Sequence, residues 1–177
     1  QAFLRYGGKD TGITLLGVEP EKERRVSSLA KDLIEGALDD LVENANGIIV
    51  GRGVAKKTGL ARGSNVSVVS GYGVTLQMKV VGIFETGIVA LDDSQTYVHL
   101  KKAQVLQRRT DVVNQIRLRL ADIDRADEVA REIEAKHGYK TESWRESNQN
   151  IFGIFVIQNG IMYSTVGAIL IVSGFGI

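Results

Sequence analysis

The stretch richest in apparent chemistry is Ile48-Ile49-Val50-Gly51-Arg52-Gly53-Val54-Ala55-Lys56-Lys57-Thr58-Gly59. Glycines between an apolar strand and a helix let backbone amides approach a phosphate, which is how dinucleotide and phosphate loops work. Neither pattern is completed here. The third glycine of the dinucleotide pattern falls on Lys56, and Lys57-Thr58 follows Gly53 at the wrong spacing for a phosphate loop. The stretch therefore reads as a tight strand-to-helix turn. His99 and His137 lie in separate elements without a partner at metal-ligand spacing, and His137 suits a helix C-terminus by its dipole. Asp92 and Asp93 are adjacent, so on an extended chain they point to opposite faces, and with Ser94-Gln95 they compose a turn. The chain has no cysteine and no Gly-x-Ser-x-Gly elbow. No catalytic residue, cofactor site or metal site is predicted, and the chain is expected not to be an enzyme.

Two aromatic positions stand out instead. Tyr72 lies between Gly71 and Gly73 at the tip of an expected hairpin, where little local scaffold can bury it. It reads either as a partner contact or as an ordinary exposed turn. Trp144 lies a few residues before a long apolar run and reads either as a ring at a membrane-water boundary or as a core anchor. Phe152, Phe155 and Ile161, in the first part of that run, would suit acyl chains, although plain lipid contact accounts for the same residues.

The elements that must position these residues follow from periodicity. Ala2–Tyr6 and Ile13–Val18 flank Gly7-Gly8-Lys9-Asp10, which is turn chemistry between two extended runs. Pro20 opens a helical repeat of Val26, Leu29, Ala30, Leu33 and Ile34 that Gly36 should end. Residues 48–50, 66–69, 74–84 and 96–100 read as strands, with short helices over 54–58, closed by Gly59, and over 101–108. Ile116, Leu118 and Leu120 alternate with Arg117 and Arg119 as in a half-buried strand. A second amphipathic helix over 126–137 should be entered near Asp124 and stopped by Gly138, and 139–144 can return as a strand.

Composition narrows the function classes. With 177 residues, 44% hydrophobic, the chain can bury a core. A net charge of +1 predicts no nucleic-acid partner. Every charged residue lies at or before Glu146, so 147–177 is uncharged and long enough to span a bilayer core, which needs about 20 apolar residues. The segment is expected to start a transmembrane helix, the alternative being a buried hairpin in a soluble enzyme. The chain is read as part of a longer membrane protein.

Several strings together resemble one family: "LLGVEPEKE", "GIIVGRGVAKKTGLARGSNVSVVS", "MKVVGIFETGIVALDDSQTYVHLKKAQVL", "SWRESNQNIFG" and "GAILIVSGFGI". They look like the periplasmic domain and second transmembrane helix of the FtsX-like, MacB-like ABC transporter permeases, with the lipoprotein-releasing (Lol-type) branch most similar. The resemblance implies an α+β fold with a strand-helix, porter-like subdomain from 1–45 and 109–146. A β-rich, sabre-like subdomain would be inserted at 46–108, and 147–177 would start the transmembrane helix. It implies a place in the bacterial inner membrane with this domain in the periplasm, and no catalysis in this chain. The implied partners are a cytoplasmic ABC ATPase subunit, a second permease subunit, membrane lipid, and a periplasmic lipoprotein carrier or adaptor protein. The implied role is to couple ATP hydrolysis to lipoprotein release. MacB-type export of a drug, peptide or toxin, and FtsX-type regulation of a cell-wall hydrolase, are the alternatives. One departure is local: the hairpin of 70–75 is short where a carrier-capturing subunit has a long hook.

Overall fold

In the computed structural model, residues 2–147, 158, 161–169 and 173 are described. The chain falls into two compact units, residues 1–119 and 120–177.

The first unit is built on one mixed sheet of the strands β1 (Ala2–Tyr6), β2 (Lys9–Val18), β3 (Leu33–Glu35), β4 (Gly47–Gly51), β5 (Asn65–Ser70), β6 (Thr75–Phe84) and β7 (Gln95–His99). Their order is β3-β6-β4-β7-β2-β1-β5, and β5 also pairs with β6, so six strands close into a ring. Closure leaves few bare edges, a recurring solution for small β units. The two long strands make it possible by pairing in stagger. β2 meets β1 over Lys9–Ile13 and β7 over Thr14–Val18. β6 meets β5 over Thr75–Lys79 and β4 over Lys79–Phe84. The expected boundary at residue 45 is not present in this sheet. β2 and β3 lie in it together with β4 to β7, because β2 pairs in parallel with β7 and β3 pairs with β6.

Short helices punctuate the ring: α1 (Pro20–Val26), α2 (Leu29–Asp32), α3 (Asp40–Glu43), α4 (Arg52–Thr58), α5 (Val89–Asp92) and α6 (Leu100–Leu106). The helix expected from Pro20 to Gly36 is broken at Ser27, whose extended backbone ends α1, and Leu33–Glu35 leaves α2 to pair with β6. Gly36 follows this strand at φ +79, packed against Val81 and Gly82. Gly59 closes α4 in the left-handed conformation as its type and position predicted.

Apolar side chains sort into two clusters. Leu4, Ile48, Val50, Val66, Val68, Met78, Val80, Val98 and Leu106 fill one. Ile49, Val81, Phe84, Tyr97, Leu29, Leu38 and Leu41 fill the other, with Phe84 and Tyr97 edge to face at 5.3 Å. β4 serves both, which is why all five of its residues are buried. A register shift opposite Ile48/Ile49 leaves Val81 between the paired Val80 and Gly82. Ile83 thereby returns to the first cluster while Val81 joins the second.

The strand expected at 116–120 does not form. Residues 111–119 are exposed with no strand partner among the described residues, and Ile116 is 78% exposed. Alternation marks what a strand would bury, but a strand forms only where another edge accepts its hydrogen bonds.

In the second unit, a 3-10 turn (Ile123–Arg125) leads into α7 (Ala126–His137), ended by Gly138 at φ 70. Asp122 caps the turn by accepting from the Asp124 amide at 3.0 Å. Residues 139–143 are not a strand, and α8 (Trp144–Ser147) follows. Residues 161–169 are helical. Of the remaining positions from 148 to 177, only 158 and 173 are among the described residues, so Phe152 and Phe155 lie outside them. Among the described residues no helix is long and apolar enough to cross a membrane.

Candidate partner-docking site

The hairpin joining β5 and β6 displays Tyr72 on a rigid frame. The Ser70 amide donates to Val74 O at 2.9 Å, and the Gly73 amide donates to Ser70 O at 3.0 Å. The Ser70 hydroxyl oxygen accepts from the amides of Tyr72 at 3.3 Å and Val74 at 3.2 Å. One buried serine therefore ties down the loop's backbone from inside, which is the ordinary use of serine in tight turns. Gly73 sits at φ +76, where a side chain would be strained. A Cβ on Gly71 or Gly73 would meet nothing within 4 Å. Tyr72 is thus 60% exposed in open surroundings on a backbone that is itself fixed. An ordered aromatic of this kind costs little entropy to dock.

The glycines near α4 have a different explanation. A Cβ on Gly51 would fall 2.9 Å from Asp92 C and 3.1 Å from Asp92 Cα, and closer still to Asp92 O. One on Gly53 would fall 2.9 Å from Asp92 O and from Asp93 Cα. The glycines make room for the chain's own Asp92-Asp93 turn, and α4 is held there by Lys57 Nζ on Asp93 Oδ2 at 2.8 Å. Asp92 is buried, and its carboxylate accepts from the Thr86 amide and hydroxyl, both at 2.8 Å, and from the Gly87 amide at 3.2 Å. Arg52 and Glu85 pair beside it. Two motifs that invited chemical readings from the sequence therefore form one structural latch, as the turn readings of each required.

The histidines are placed apart. His99 caps α6, its Nδ1 accepting from the Lys101 amide at 3.4 Å, and His137 ends α7. No cluster of metal-ligating side chains occurs among the described residues.

Trp144 begins α8 by a device the sequence reading missed. Ser143-Trp144-Arg145-Glu146 has capping-box spacing, and Ser143 Oγ accepts from the Glu146 amide at 3.2 Å. Trp144 is 39% exposed, and its indole N–H donates to Ile123 O at 3.4 Å. Arg145 lies over the indole at 5.4 Å and reaches Asp124 at 3.0 Å and Asp127 at 3.5 Å. Ile161 is 62% exposed. The structure places Tyr72 in the first unit and Trp144 and Ile161 in the second.

Residues 1–136 match the family described as the MacB-like periplasmic core domain. The chain belongs to that family. It is a MacB-like periplasmic core domain, as the sequence resemblance implied. Two curated relatives carry the name lipoprotein-releasing system transmembrane protein LolC. The protein of Neisseria meningitidis serogroup B is 28% identical over 100% of this chain and 46% of its own length. That of Xylella fastidiosa (strain 9a5c) is 27% identical over 98% of this chain and 45% of its own length. The chain thus spans about half the length of the curated relatives it matches. The extracellular domain of the noncanonic ABC-type transporter YknZ from Gram-positive bacteria shares the fold of this MacB-like domain. Its TM-score is 0.54 at 21% identity, covering 80% of this chain and 73% of that one.

Proposed function

We propose that this MacB-like domain belongs to a permease subunit of the lipoprotein-releasing type, in the bacterial inner membrane with the domain in the periplasm. ATP hydrolysis by a cytoplasmic ABC subunit would drive lipoprotein release from that membrane. A second permease subunit completes the assembly, and a soluble periplasmic carrier takes the released lipoprotein. The observation that carries this reading is that LolC relatives align over 98–100% of the chain rather than over the core domain alone.

Within this reading Tyr72, set by Gly71 and Gly73, is the carrier contact. Its exposure on an immobilised turn supports the assignment. Trp144 and Ile161, with Phe152 and Phe155, form the contact with membrane lipid or acylated cargo. Both described members are exposed, and Trp144 lies three residues before the uncharged segment. The chain supplies no catalytic group, and its part in the cycle is mechanical.

Photo-crosslinking from position 72 of the full-length protein in cells, followed by mass spectrometry, tests the proposal. Capture of a soluble lipoprotein carrier is expected. Capture of a membrane-fusion adaptor would move the chain to MacB-type export, and capture of a cell-wall hydrolase to FtsX-type regulation.

A further inference from the structure

After α6 the chain runs from Gln107 to Arg119 as a strap with every residue exposed and no regular structure. So little burial leaves a segment to be held by point contacts. Two of its non-glycine residues, Arg108 (φ 53) and Asp111 (φ 55), sit in the left-handed region, a cost that straightening the strap would release. The anchors are few and unequal. Gln104 Nε2 donates to Val112 O at 2.9 Å. At the far end Arg117 Nη2 donates to both carboxylate oxygens of Glu23 in α1, at 2.6 and 2.7 Å. The Glu23 side chain is only 6% exposed and that of Arg117 43% exposed, so the pair is a desolvated carboxylate met by a cation reaching in from the surface. A cavity of about 730 Å³ lies along the strap, lined by Leu15, Leu16, Val26, Leu100, Val113 and Ile116 among others.

We propose that Glu23–Arg117 is a releasable clasp that sets the slack between the barrel and α7. With the clasp shut, the free chain from Arg117 to the Asp122 cap reaches at most about 17 Å, and with it open the run from the Val112 anchor reaches about 34 Å. A buried acid with one charged partner suits such a device, because the closed state is favoured strongly while the partner stays and is lost when it leaves. The clasp itself does not depend on the proposed transport role, whereas its use during transport does.

Distances between spin labels test it in the full-length protein in membranes, with one label at Asn114→Cys and the other at Lys56→Cys. A Lys9→Cys/Lys56→Cys pair within the barrel reports whether each variant is folded. The clasp predicts one narrow strap distribution in the parent, its loss in Arg117→Ala, and its return in the charge-reversed pair Glu23→Lys/Arg117→Glu, with the barrel pair unchanged throughout. A strap distribution that stays narrow in Arg117→Ala, or stays broad in the reversed pair while the barrel pair is normal, overturns the clasp. Adding ATP and Mg²⁺ to the parent assembled with its cytoplasmic ABC subunit and second permease subunit separates the second question. Broadening supports use of the clasp in transport, and an unchanged distribution refutes that use while leaving the clasp in place.

Discussion

Gly51→Ala is the sharpest test of the latch at the start of α4. Gly51 has φ −67 and ψ 148, which any residue adopts, so the substitution carries no backbone penalty of its own. Its effect is steric, and the atoms met are main chain: Asp92 O, with Asp92 C at 2.9 Å and Asp92 Cα at 3.1 Å. Relieving that overlap means moving the Asp92-Asp93 turn. Overpacking of this kind costs about 1–3 kcal/mol. The same movement strains the three bonds by which the Asp92 carboxylate holds Thr86 and Gly87, and a hydrogen bond to a charged group contributes about 1.5–3 kcal/mol. The smaller entropy of the unfolded alanine chain offsets about 0.4–1 kcal/mol. A net loss of about 2–4 kcal/mol is expected, read as a lower urea midpoint by far-ultraviolet circular dichroism. Gly12→Ala is the matched control, since a Cβ there meets nothing within 4 Å, and it should match the parent or exceed it by up to about 1 kcal/mol. A Gly51→Ala midpoint equal to that of Gly12→Ala would refute the close approach.

Three further outcomes follow from the same geometry. Asp92→Asn keeps the size of the side chain but removes the charge its donors face, and should cost about 1–3 kcal/mol in the same unfolding assay. Ser143→Ala should cost α8 about 1 kcal/mol of capping, seen as faster hydrogen exchange at the Glu146 amide with β4 unaffected. Burial first, and then the Glu23 carboxylate, push the Tyr97 phenol above its ordinary value. The neutral form is favoured in the fold, so this stabilisation is fully present below pH of about 10 and is lost as pH rises through the folded value. Ultraviolet titration of the native protein should show a phenol ionising above the ordinary tyrosine value that is absent in Tyr97→Phe, and Glu23→Gln should lower its midpoint.

Much of the β architecture was legible because its signals are local. Gly7-Gly8, at φ 56 and 78, makes the β1–β2 turn, and Gly59 and Gly138 stop α4 and α7 in the left-handed conformation. The apolar runs at 48–50, 66–69, 74–84 and 96–100 each became a strand or most of one. What failed depended on partners far away in sequence. Ile116 and Leu118 alternate correctly but find no strand edge among the described residues, and Leu33 leaves its helical pattern because Phe84 offers one. The parallel pairing of β2 with β7 across residue 45 likewise joins segments far apart in sequence. At the site, the exposure of Tyr72 could be read from its flanking glycines, whereas the Ser70 clamp could not. The Ser143–Glu146 capping box was present in the sequence but obscured by reading 139–144 as a strand.

The account stands most directly on where lipoproteins reside when the full-length protein is depleted from the cells that make it. Inner and outer membranes would be separated and their lipoproteins quantified. The account predicts that lipoproteins destined for the outer membrane accumulate in the inner one, and that restoring the protein clears them. An unchanged distribution under full depletion would contradict lipoprotein release as the function and leave the permease fold to serve another cargo.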